Sequence, residues 1–589
     1  MNTILLFLPI VLGFDCTRIK NDFELDCCPN RSSSSDSYVC KEIRQTFKTF
    51  QCCQNMNSTL PVVETTYGKV RGIVDINPFK IGEFLPYPFT STYPIKPSYQ
   101  FLGIPYAKTP VRFKPPEEPV PWSGVLNVDK VSNQCMQESL DSSVFDILFG
   151  QVYGGGIDIT EDCLILDVFT TDFTTKKPVH VFIHGGGFDS GSKEITRDWP
   201  WELDDMVYVA INYRLNAHGY LALEEFMDES GTSGNFGTLD QILALKWIQK
   251  NIAKFGGDPN QVVITGQSAG GRAVETLVAS PLAKGLFIGC ISMSGYAPLK
   301  SMYANWPRID NPSSEFDTSA DTTVAFRSAI YRRELRRQFG ITETGSELIS
   351  RLRNLPAETL VHFVSNMTKN NKMILGTVPA TDGHVLASDW YTNPSQVPMM
   401  VTSTLREHSI WTLSDTNYTL DWMNLLAKNP HVASTINQMY GYPQTDDTKA
   451  SAAVDLQSES WIAGQYSYSQ LLSQHVPTYY VLYGQPATIF QTDLYGSHTS
   501  DMIATFGSAG IGALVAVTDE TIKLVIAHRV AMREFIHTRR ISGYPTMTLD
   551  PTDSNVFLHR QLSLDDGAEL RSITIGDIKD GRILKVLEL

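Results

Sequence analysis

The sequence predicts an α/β protein with a large, mostly parallel central sheet and helices on both faces. Apolar runs such as residues 206–212 and 262–265 have the composition of short buried strands. The stretch 239–255 is compatible with a helix, and a strand–helix–strand order is what a parallel crossover requires. With 589 residues, 42% of them hydrophobic, the chain can bury a sizeable core. One large α/β domain is therefore expected.

The first element of a site is the turn Gly266-Gln267-Ser268-Ala269-Gly270, a G-x-S-x-G motif between a strand-like and a helix-like run. Such a turn holds the serine on a strained backbone and exposes its hydroxyl at a helix N-terminus. Glycines are expected at 266 and 270 because a Cβ there would collide with neighbouring backbone. Ser268 is therefore a candidate nucleophile.

The second element is His184-Gly185-Gly186-Gly187-Phe188, which directly follows an apolar strand-like run. Three successive glycines allow backbone N–H groups to converge on a cavity, which suits the stabilisation of a developing oxyanion. Taken alone, the segment could equally be a flexible turn. The serine motif further along the chain favours an oxyanion hole.

Further motifs follow in order along residues 62–545. They are residues 101–107 (FLGIPYA), 161–166 (EDCLIL), 212–215 (NYRL), 234–241 (GNFGTLDQ), 251–259 (NIAKFGGDP) and 294–295 (SG). With the two glycine-rich motifs, they make the chain resemble the type-B carboxylesterases, the cholinesterase-like branch of the α/β-hydrolases. The resemblance implies the α/β-hydrolase fold and a serine carboxylic-ester hydrolase.

The resemblance also implies a catalytic triad in the chain order serine, acid, histidine. Glu407 falls on the acid, although the family's Asp-Glu-Gly reads Arg-Glu-His at 406–408. His498 falls on the base, within a segment (496–507) that resembles the family's histidine loop. Ser268 would attack an ester carbonyl, His498 would take its proton, and Glu407 would orient the imidazole.

The same resemblance places the oxyanion hole at the N–H groups of Gly186, Gly187 and Ala269. Phe188 and Trp411 are the predicted substrate-pocket residues. No tryptophan occurs in residues 149–156, where cholinesterases carry one, and Ile410 stands where a choline-binding aromatic is expected. Because cation recognition needs aromatic faces, uncharged small or medium esters are predicted rather than acetylcholine.

Two other functions stay open at this stage. A neuroligin-like adhesion protein would keep the fold and lose catalysis, but all three members of a triad can be assigned here. Acyl transfer to a small alcohol would use the same acyl-enzyme as hydrolysis. The two reactions differ only in which nucleophile reaches the acyl group.

Charged residues of the family pattern also predict scaffold contacts. Glu161 with Arg112, and Asp240 with Arg214, occupy positions that resemble buried ion pairs of the family. Arg272 departs from the small residues usual after the elbow glycines, and its role is left open.

Composition limits the partners and cofactors. The net charge of −15 argues against binding to nucleic acid and to anionic membrane surfaces. The sequence has neither a metal-ligand spacing nor a P-loop lysine, so neither a metal nor another cofactor is predicted. The expected partner is a small-molecule ester, and nothing in the sequence indicates the oligomeric state.

The termini carry predicted processing and accessory segments. Residues 1–13 resemble a signal peptide, and no later stretch is apolar enough for a transmembrane helix. Residues 14–60 are expected to form a small cysteine-rich module, 61–550 the hydrolase domain and 551–589 a C-terminal tail. Secretion or residence in the lumen of the endoplasmic reticulum is therefore predicted. Four sequons agree with that route, at Asn30, Asn57, Asn366 and Asn417.

The nine cysteines divide by position. Six precede Thr59 and suggest three disulfides, whose fifteen possible connectivities stay open. Cys135 and Cys163 match the family's loop disulfide. Cys290 lies in a strand-like run and is expected to be a buried free thiol.

Overall fold

The computed structural model describes residues 60–75, 97–138, 158–196, 201–295, 323–371, 378–387, 396–409, 446–485, 488–489, 492–493, 497–498, 500–502, 518–561 and 566–578. The predicted signal peptide (1–13), the cysteine-rich module (14–60, apart from Leu60) and three sequons (Asn30, Asn57, Asn417) lie outside the described residues. Ile410 and Trp411 lie outside them as well.

The described residues form strands, helices and short 3-10 turns. The strands are β1 (Val62–Glu64), β2 (Lys69–Arg71), β3 (Ile73–Asp75), β4 (Ser98–Pro105), β5 (Val125–Asn127), β6 (Gln134–Cys135), β7 (Ile159–Thr160), β8 (Ile165–Thr170), β9 (Lys177–Ile183), β10 (Val207–Ile211), β11 (Gly257–Gln267), β12 (Gly289–Met293), β13 (Met399–Thr404), β14 (Thr478–Gly484), β15 (Thr488–Ile489), β16 (Thr492–Asp493), β17 (Val556–Arg560) and β18 (Glu569–Ile573). The helices are α1 (Asn216–Tyr220), α2 (Glu224–Ser230), α3 (Phe236–Asn251), α4 (Ala269–Ala279), α5 (Val324–Phe339), α6 (Gly345–Arg353), α7 (Ala357–Asn371), α8 (Asp446–Ser473) and α9 (Asp519–Thr538).

The prediction of a large, mostly parallel sheet is confirmed. Eleven strands pair in the order β18-β17-β14-β13-β12-β11-β9-β10-β8-β4-β3. Every pairing from β10 to β17 in this order is parallel, whereas the pairings towards β3 and between β17 and β18 are antiparallel. The carboxyl ends of the parallel strands therefore meet at one edge, where loops can bring side chains from distant parts of the chain together.

The sheet is covered on both faces, as predicted. On β11, Val262 and Ile264 belong to the core on one face and Val263 to the core on the other, since successive side chains in a strand point to opposite faces. Helices α3, α4 and α8 contribute to the first core, and α9 contributes to the second. Helices α1, α2 and α5–α7 contribute to a further apolar cluster. Strand β11 is thus buried throughout its second half, up to the residue before Ser268.

The end of the chain differs from the prediction. Residues 551–589 were expected to be a tail, but β17 pairs in parallel with β14 and β18 pairs with β17. Val556 and Leu558 are buried in the same core as the centre of the sheet. The described part of this segment, up to residue 578, is therefore an edge of the central sheet.

The predicted scaffold contacts are present. Cys135 and Cys163 form a disulfide with a Cα–Cα distance of 5.0 Å, and Cys290 is a buried free thiol. Two nitrogens of Arg112 donate to the two carboxylate oxygens of Glu161, at 2.8 and 2.6 Å. The Asp240 carboxylate receives Arg214 in the same bidentate way, at 2.8 and 2.7 Å. The Arg214–Asp240 pair is buried, whereas the pair of Arg112 and Glu161 is partly exposed. In each pair the guanidinium compensates the carboxylate with matching geometry.

Candidate active site

The serine motif forms a sharp turn between β11 and α4. Ser268 has φ 59° and ψ −125°, a left-handed conformation that is unusual for a serine, and α4 begins at the next residue. A Cβ at Gly266 would lie 2.2 Å from the carbonyl oxygen of Gly270, and one at Gly270 would lie 2.1 Å from that of Ile183. Both glycines are therefore required by close backbone approach. The turn leaves Ser268 partly exposed at the N-terminus of an 11-residue helix.

The glycine turn lies directly against this serine. A Cβ at Gly185 would come within 3.0 Å of the Ser268 Cβ. Gly186 and Gly187 have φ values of 105° and 66°, which only glycine adopts readily. Ala269 is the first residue of α4, so its N–H has no acceptor within the helix. The structure thus places the three predicted oxyanion donors around the Ser268 turn.

His184 is a structural residue of this turn. Its imidazole stacks on the Tyr213 ring at 4.5 Å between centroids, and the Tyr213 hydroxyl donates to the His184 carbonyl at 2.8 Å. Burial lowers the pKa of His184 to about 4, so the ring is neutral at physiological pH. A neutral His184 donates from Nδ1 to the Gly185 carbonyl, 2.8 Å away, and fixes the start of the glycine turn.

The predicted acid and base meet in the structure. His498 Nδ1 lies 2.5 Å from Glu407 Oε2, and the other carboxylate oxygen of Glu407 accepts the N–H of Thr404 at 2.7 Å. Both side chains are at most 2% exposed. Glu407 follows the carboxyl end of β13, which places it at the same edge of the sheet as Ser268. The Arg-Glu-His sequence in place of Asp-Glu-Gly does not prevent this pairing.

The other nitrogen of the imidazole faces the serine turn. Because Glu407 accepts from Nδ1, His498 carries its proton there and Nε2 is an acceptor. The side-chain amide nitrogen of Gln267, the residue bonded to Ser268, lies 3.4 Å from His498 Nε2. His498, paired with Glu407, therefore lies beside the turn that carries Ser268.

A second buried carboxylate lies beside the pair. Asp501 is fully buried, and its Oδ2 accepts from the hydroxyls of Thr402, at 3.0 Å, and Ser294, at 3.3 Å. Burial, together with the nearby negative charge of Glu407, raises the pKa of Asp501 to about 6. The resemblance of residues 496–507 to the family's histidine loop did not indicate that the Asp501 carboxylate is buried beside Glu407.

The structure also gives Arg272 a role. Its guanidinium lies 3.5 Å from the buried carboxylate of Glu275, one turn further along α4. Glu275 Oε1 accepts two more hydrogen bonds, both at 2.9 Å, from Ser292 and Gln465. Arg272 therefore compensates a buried charge behind the nucleophile and belongs to the scaffold of the site.

Trp461 was not anticipated from the sequence. It lies on α8, and its ring centroid is 5.1 Å from that of His498, with 56° between the planes. Its indole N–H donates to the Gly295 carbonyl at 2.7 Å. Trp461 is partly exposed, so it forms part of the surface of the site next to the predicted base.

The substrate-pocket prediction is corrected at Phe188. Its ring is 2% exposed and packs on Tyr220 at 4.8 Å and Tyr213 at 6.5 Å between centroids. The backbone of Phe188 has φ 63°, and its side chain belongs to the main core. Phe188 therefore supports the glycine turn from behind. Trp411, the other predicted pocket residue, lies outside the described residues.

The described residues show neither a metal cluster nor a membrane-spanning helix. Among them, no group of three or more His, Cys, Asp or Glu side chains is placed to hold a metal ion. None of the helices described is long and apolar enough to cross a membrane. The one described sequon, Asn366 on α7, is exposed.

The sequence matches one family along most of its length. A family model described as the carboxylesterase family matches residues 59–543. Carboxylesterase 1F of Mus musculus is 34% identical over 346 residues, which cover 57% of this chain and 56% of that protein. Pyrethroid hydrolase Ces2e of Rattus norvegicus is 38% identical over 265 residues, 44% of this chain and 43% of that protein.

A third relative is named as a fatty acyl-CoA hydrolase. The medium-chain fatty acyl-CoA hydrolase precursor of Anas platyrhynchos is 40% identical over 246 residues, 40% of this chain and 41% of that protein. The chain spans about half the length, or less, of these curated relatives.

Solved structures show the same architecture. A thermophilic pNB esterase superposes with a TM-score of 0.69 at 24% identity, covering 89% of this chain and 100% of the other. A second pNB esterase structure gives a TM-score of 0.66 at 23% identity, with 89% and 99% covered. These likenesses confirm the α/β-hydrolase fold.

Proposed function

The chain belongs to the carboxylesterase family, and on that premise we propose that it hydrolyses carboxylic esters through a covalent acyl-enzyme on Ser268. The observation that carries the proposal is the hydrogen bond between Glu407 and His498 beside the serine turn. A histidine held by a buried carboxylate, with its second nitrogen beside the residue that precedes a strained serine, fits the arrangement that activates a serine nucleophile.

In the proposed reaction, the Ser268 hydroxyl attacks the ester carbonyl while His498 Nε2 accepts its proton. Glu407 keeps the proton on Nδ1 and stabilises the imidazolium. The N–H groups of Gly186, Gly187 and Ala269 receive the oxyanion of the tetrahedral intermediate, and each such donor lowers the barrier by about 3 kcal/mol. His498 then protonates the leaving alcohol. In the second half of the reaction, water attacks the acyl-enzyme while His498 accepts its proton, and His498 returns a proton to Ser268 as the carboxylic acid leaves.

The proposed substrates are uncharged esters of small or medium size. Support comes from the sequence, because residues 149–156 contain no tryptophan and Ile410 stands where an aromatic residue that contacts a quaternary ammonium group is expected. The names of the curated relatives describe hydrolases of carboxylic esters, pyrethroids and fatty acyl-CoA, each of which carries an acyl group.

We place the protein in an oxidising compartment, either outside the cell or in the lumen of the endoplasmic reticulum. The disulfide between Cys135 and Cys163 supports this location, because cytosolic thiols are kept reduced. The apolar run in residues 1–13 is the proposed signal for entry into that route.

A fluorophosphonate probe tests the proposed chemistry directly, since it reacts with an activated serine without depending on the natural substrate. The full-length protein is expected to be labelled on Ser268, as located by peptide mapping, and to hydrolyse p-nitrophenyl esters. Ser268→Ala should abolish both signals. A folded wild-type protein that resists the probe and hydrolyses none of a series from acetate to octanoate would exclude the proposal.

A further inference from the structure

Helix α8 contacts two of the segments that carry the triad. The Ser458 hydroxyl accepts the backbone N–H of His408, the neighbour of Glu407, at 3.0 Å. One turn later, Trp461 packs on His498, with 5.1 Å between ring centroids. Residues three apart lie on one face of a helix. The face of α8 that supports the acid loop therefore also supports the base.

The same face reaches the nucleophile helix. Gln465, four residues after Trp461, donates to Glu275 Oε1 on α4 at 2.9 Å. Its amide also donates to the carbonyl of Gly295, just beyond β12. A Cβ on Gly295 would lie 2.4 Å from Glu275 Oε1, so these groups are closely packed. One helical face thus joins the segments that hold all three triad residues.

The indole of Trp461 is fixed within this assembly. Its N–H donates to the Gly295 carbonyl at 2.7 Å, which sets the direction of the ring. One part of the ring then meets His498, and another meets His408 at 5.5 Å between centroids. An indole held by a hydrogen bond and by contacts to two rings has little rotational freedom.

We propose that Trp461 is a positioning residue for the reaction. Anchored on the Gly295 carbonyl, it holds the imidazole of His498 in line between Glu407 and Ser268. The inference rests on the proposed esterase function and deepens it.

Two physical effects support this role. Contact with the indole restricts rotation of the imidazole about its Cβ–Cγ bond, and a displacement of the reacting groups by about 1 Å can cost about 10²-fold in rate. The aromatic ring also attracts the positive charge that His498 acquires when it takes the serine proton. Both effects act on the chemical step and leave the binding of an uncharged ester nearly unchanged.

The test compares Trp461→Leu and Trp461→Phe with the wild type. Rates with p-nitrophenyl acetate and p-nitrophenyl hexanoate are divided by the concentration of active sites, measured by fluorophosphonate titration. Loss of folded protein then does not affect kcat. For Trp461→Leu we expect kcat to fall by about 10²-fold with both esters, at nearly constant KM. Trp461→Phe keeps a ring but loses the N–H donor, so its loss should be smaller.

The pH profile of kcat/KM is a second measurement, and a purely structural role of Trp461 would leave it unchanged. Removing the aromatic ring takes away a partner of the imidazolium, so the acid limb of kcat/KM should move to lower pH in Trp461→Leu. The matched control is Trp247→Phe, because Trp247 is equally large but lies buried in α3, in the core beneath the sheet. This control should lower stability but leave kcat per active site and the pH profile unchanged.

The outcomes separate the two proposals. If the wild type fails to react with the fluorophosphonate, the esterase proposal itself fails. If the wild type reacts but both Trp461 variants keep wild-type kcat per active site, the positioning role is wrong. A changed ratio of kcat/KM between acetate and hexanoate, with kcat for acetate unaltered, would also overturn it, because Trp461 would then only line the pocket. If Trp461→Leu does not fold, Trp461→Phe decides by the same criteria.

Discussion

Glu407 and His498 are joined twice, through their side chains and through their backbones. The carboxylate lies 2.5 Å from Nδ1, and the His498 N–H donates to the Glu407 carbonyl at 3.1 Å. A backbone bridge between the preceding residues, Arg406 and Ser497, continues this pairing. The orientation of the imidazole is therefore set by the main chain as well as by the acid, and a neutral substitute for Glu407 should keep the loop in place.

The assignment of the acid can be tested against a second carboxylate. Asp382 is an alternative by chain order, but its Oδ1 accepts three backbone N–H groups, from residues 384–386 at 2.8–3.0 Å. We expect Asp382→Asn to keep nearly wild-type kcat per active site, whereas Glu407→Gln should lower it on the order of 10⁴-fold. Hydrolysis of p-nitrophenyl butyrate measures both. The reverse order of the two losses would move the acid to Asp382.

Charged choline esters should be poor substrates. Ile410 stands where the family resemblance places an aromatic residue, and residues 149–156 contain no tryptophan, so two aromatic residues expected to contact a trimethylammonium group are missing from the sequence. We expect kcat/KM for acetylthiocholine to be well below that for p-nitrophenyl butyrate. Butyrylthiocholine serves as a control that separates the preference for acyl length from the effect of charge. A preference for acetylthiocholine would contradict the predicted pocket.

Glu202 should destabilise the protein at alkaline pH. Burial raises its pKa from 4.5 to about 7, and its Oε1 accepts the Ser98 hydroxyl at 2.5 Å. Because the folded-state value lies above the unfolded one, this stabilising contribution is complete below pH 4.5 and is lost as the pH rises through 7. Glu202→Gln removes this titration. The free energy of unfolding of the variant, relative to that of the wild type, should therefore be about 3 kcal/mol higher at pH 8 than at pH 4.

Urea denaturation at the two pH values measures this difference. The exposed carboxylate of Glu64 provides the control, and Glu64→Gln should show little difference between them. Equal effects of Glu202→Gln at pH 8 and pH 4 would show that folding does not raise the pKa of this carboxyl group.

His218 should have the opposite effect, in acid. It is buried next to Glu161, whose Oε2 lies 3.9 Å away, and burial lowers the pKa of His218 from 6.5 to about 4. Because the lowered pKa keeps the ring neutral in the folded state, the contribution of His218 to stability is complete above pH 6.5. It is lost as the pH falls towards 4. His218→Phe should reduce the loss of unfolding free energy between pH 7 and pH 5 by about 2 kcal/mol.

Thermal or urea unfolding at pH 7 and pH 5 provides the measurement. His362, which is 64% exposed, is the matched control, and His362→Phe should leave the acid dependence as in wild type. The same acid dependence in His218→Phe and wild type would show that folding does not lower the pKa of this imidazole.

The sequence predicted the centre of the fold because the steric demands there are local. Gly266 and Gly270 indicate a close approach of two backbones, and in the structure a Cβ at either position would collide with a backbone oxygen. The edge of the sheet was missed. Strands β17 and β18 are only five residues long each. Strand β17 is stabilised by pairing with β14, far earlier in the chain, and β18 by pairing with β17. Local sequence carries little of that information.

The site was predictable where a local motif fixes the backbone or where the family resemblance extends. Ser268 and the glycine turn could be read directly, and family resemblance placed Glu407 and His498 although 91 residues separate them. Phe188 was predicted to line the substrate pocket because it follows the glycine turn, but its backbone has φ 63° and its ring lies in the core. Trp461 carried no signal, since its role depends on how α8 lies across the ends of β12 and β13. Arg272 could have been explained by Glu275, three residues later on the same helical face.

The most direct prediction concerns the triad as one unit. Ser268→Ala should lower kcat on the order of 10⁴ to 10⁶-fold, and His498→Ala should do nearly the same, because the serine then has no base. Since the three groups act together, Ser268→Ala combined with His498→Ala should be little worse than Ser268→Ala alone. Residual hydrolysis of p-nitrophenyl butyrate by purified variants measures these losses, with Asp382→Asn as the matched control. If the losses multiplied in the double variant, the two residues would act independently, and the proposed proton transfer from Ser268 to His498 would be wrong.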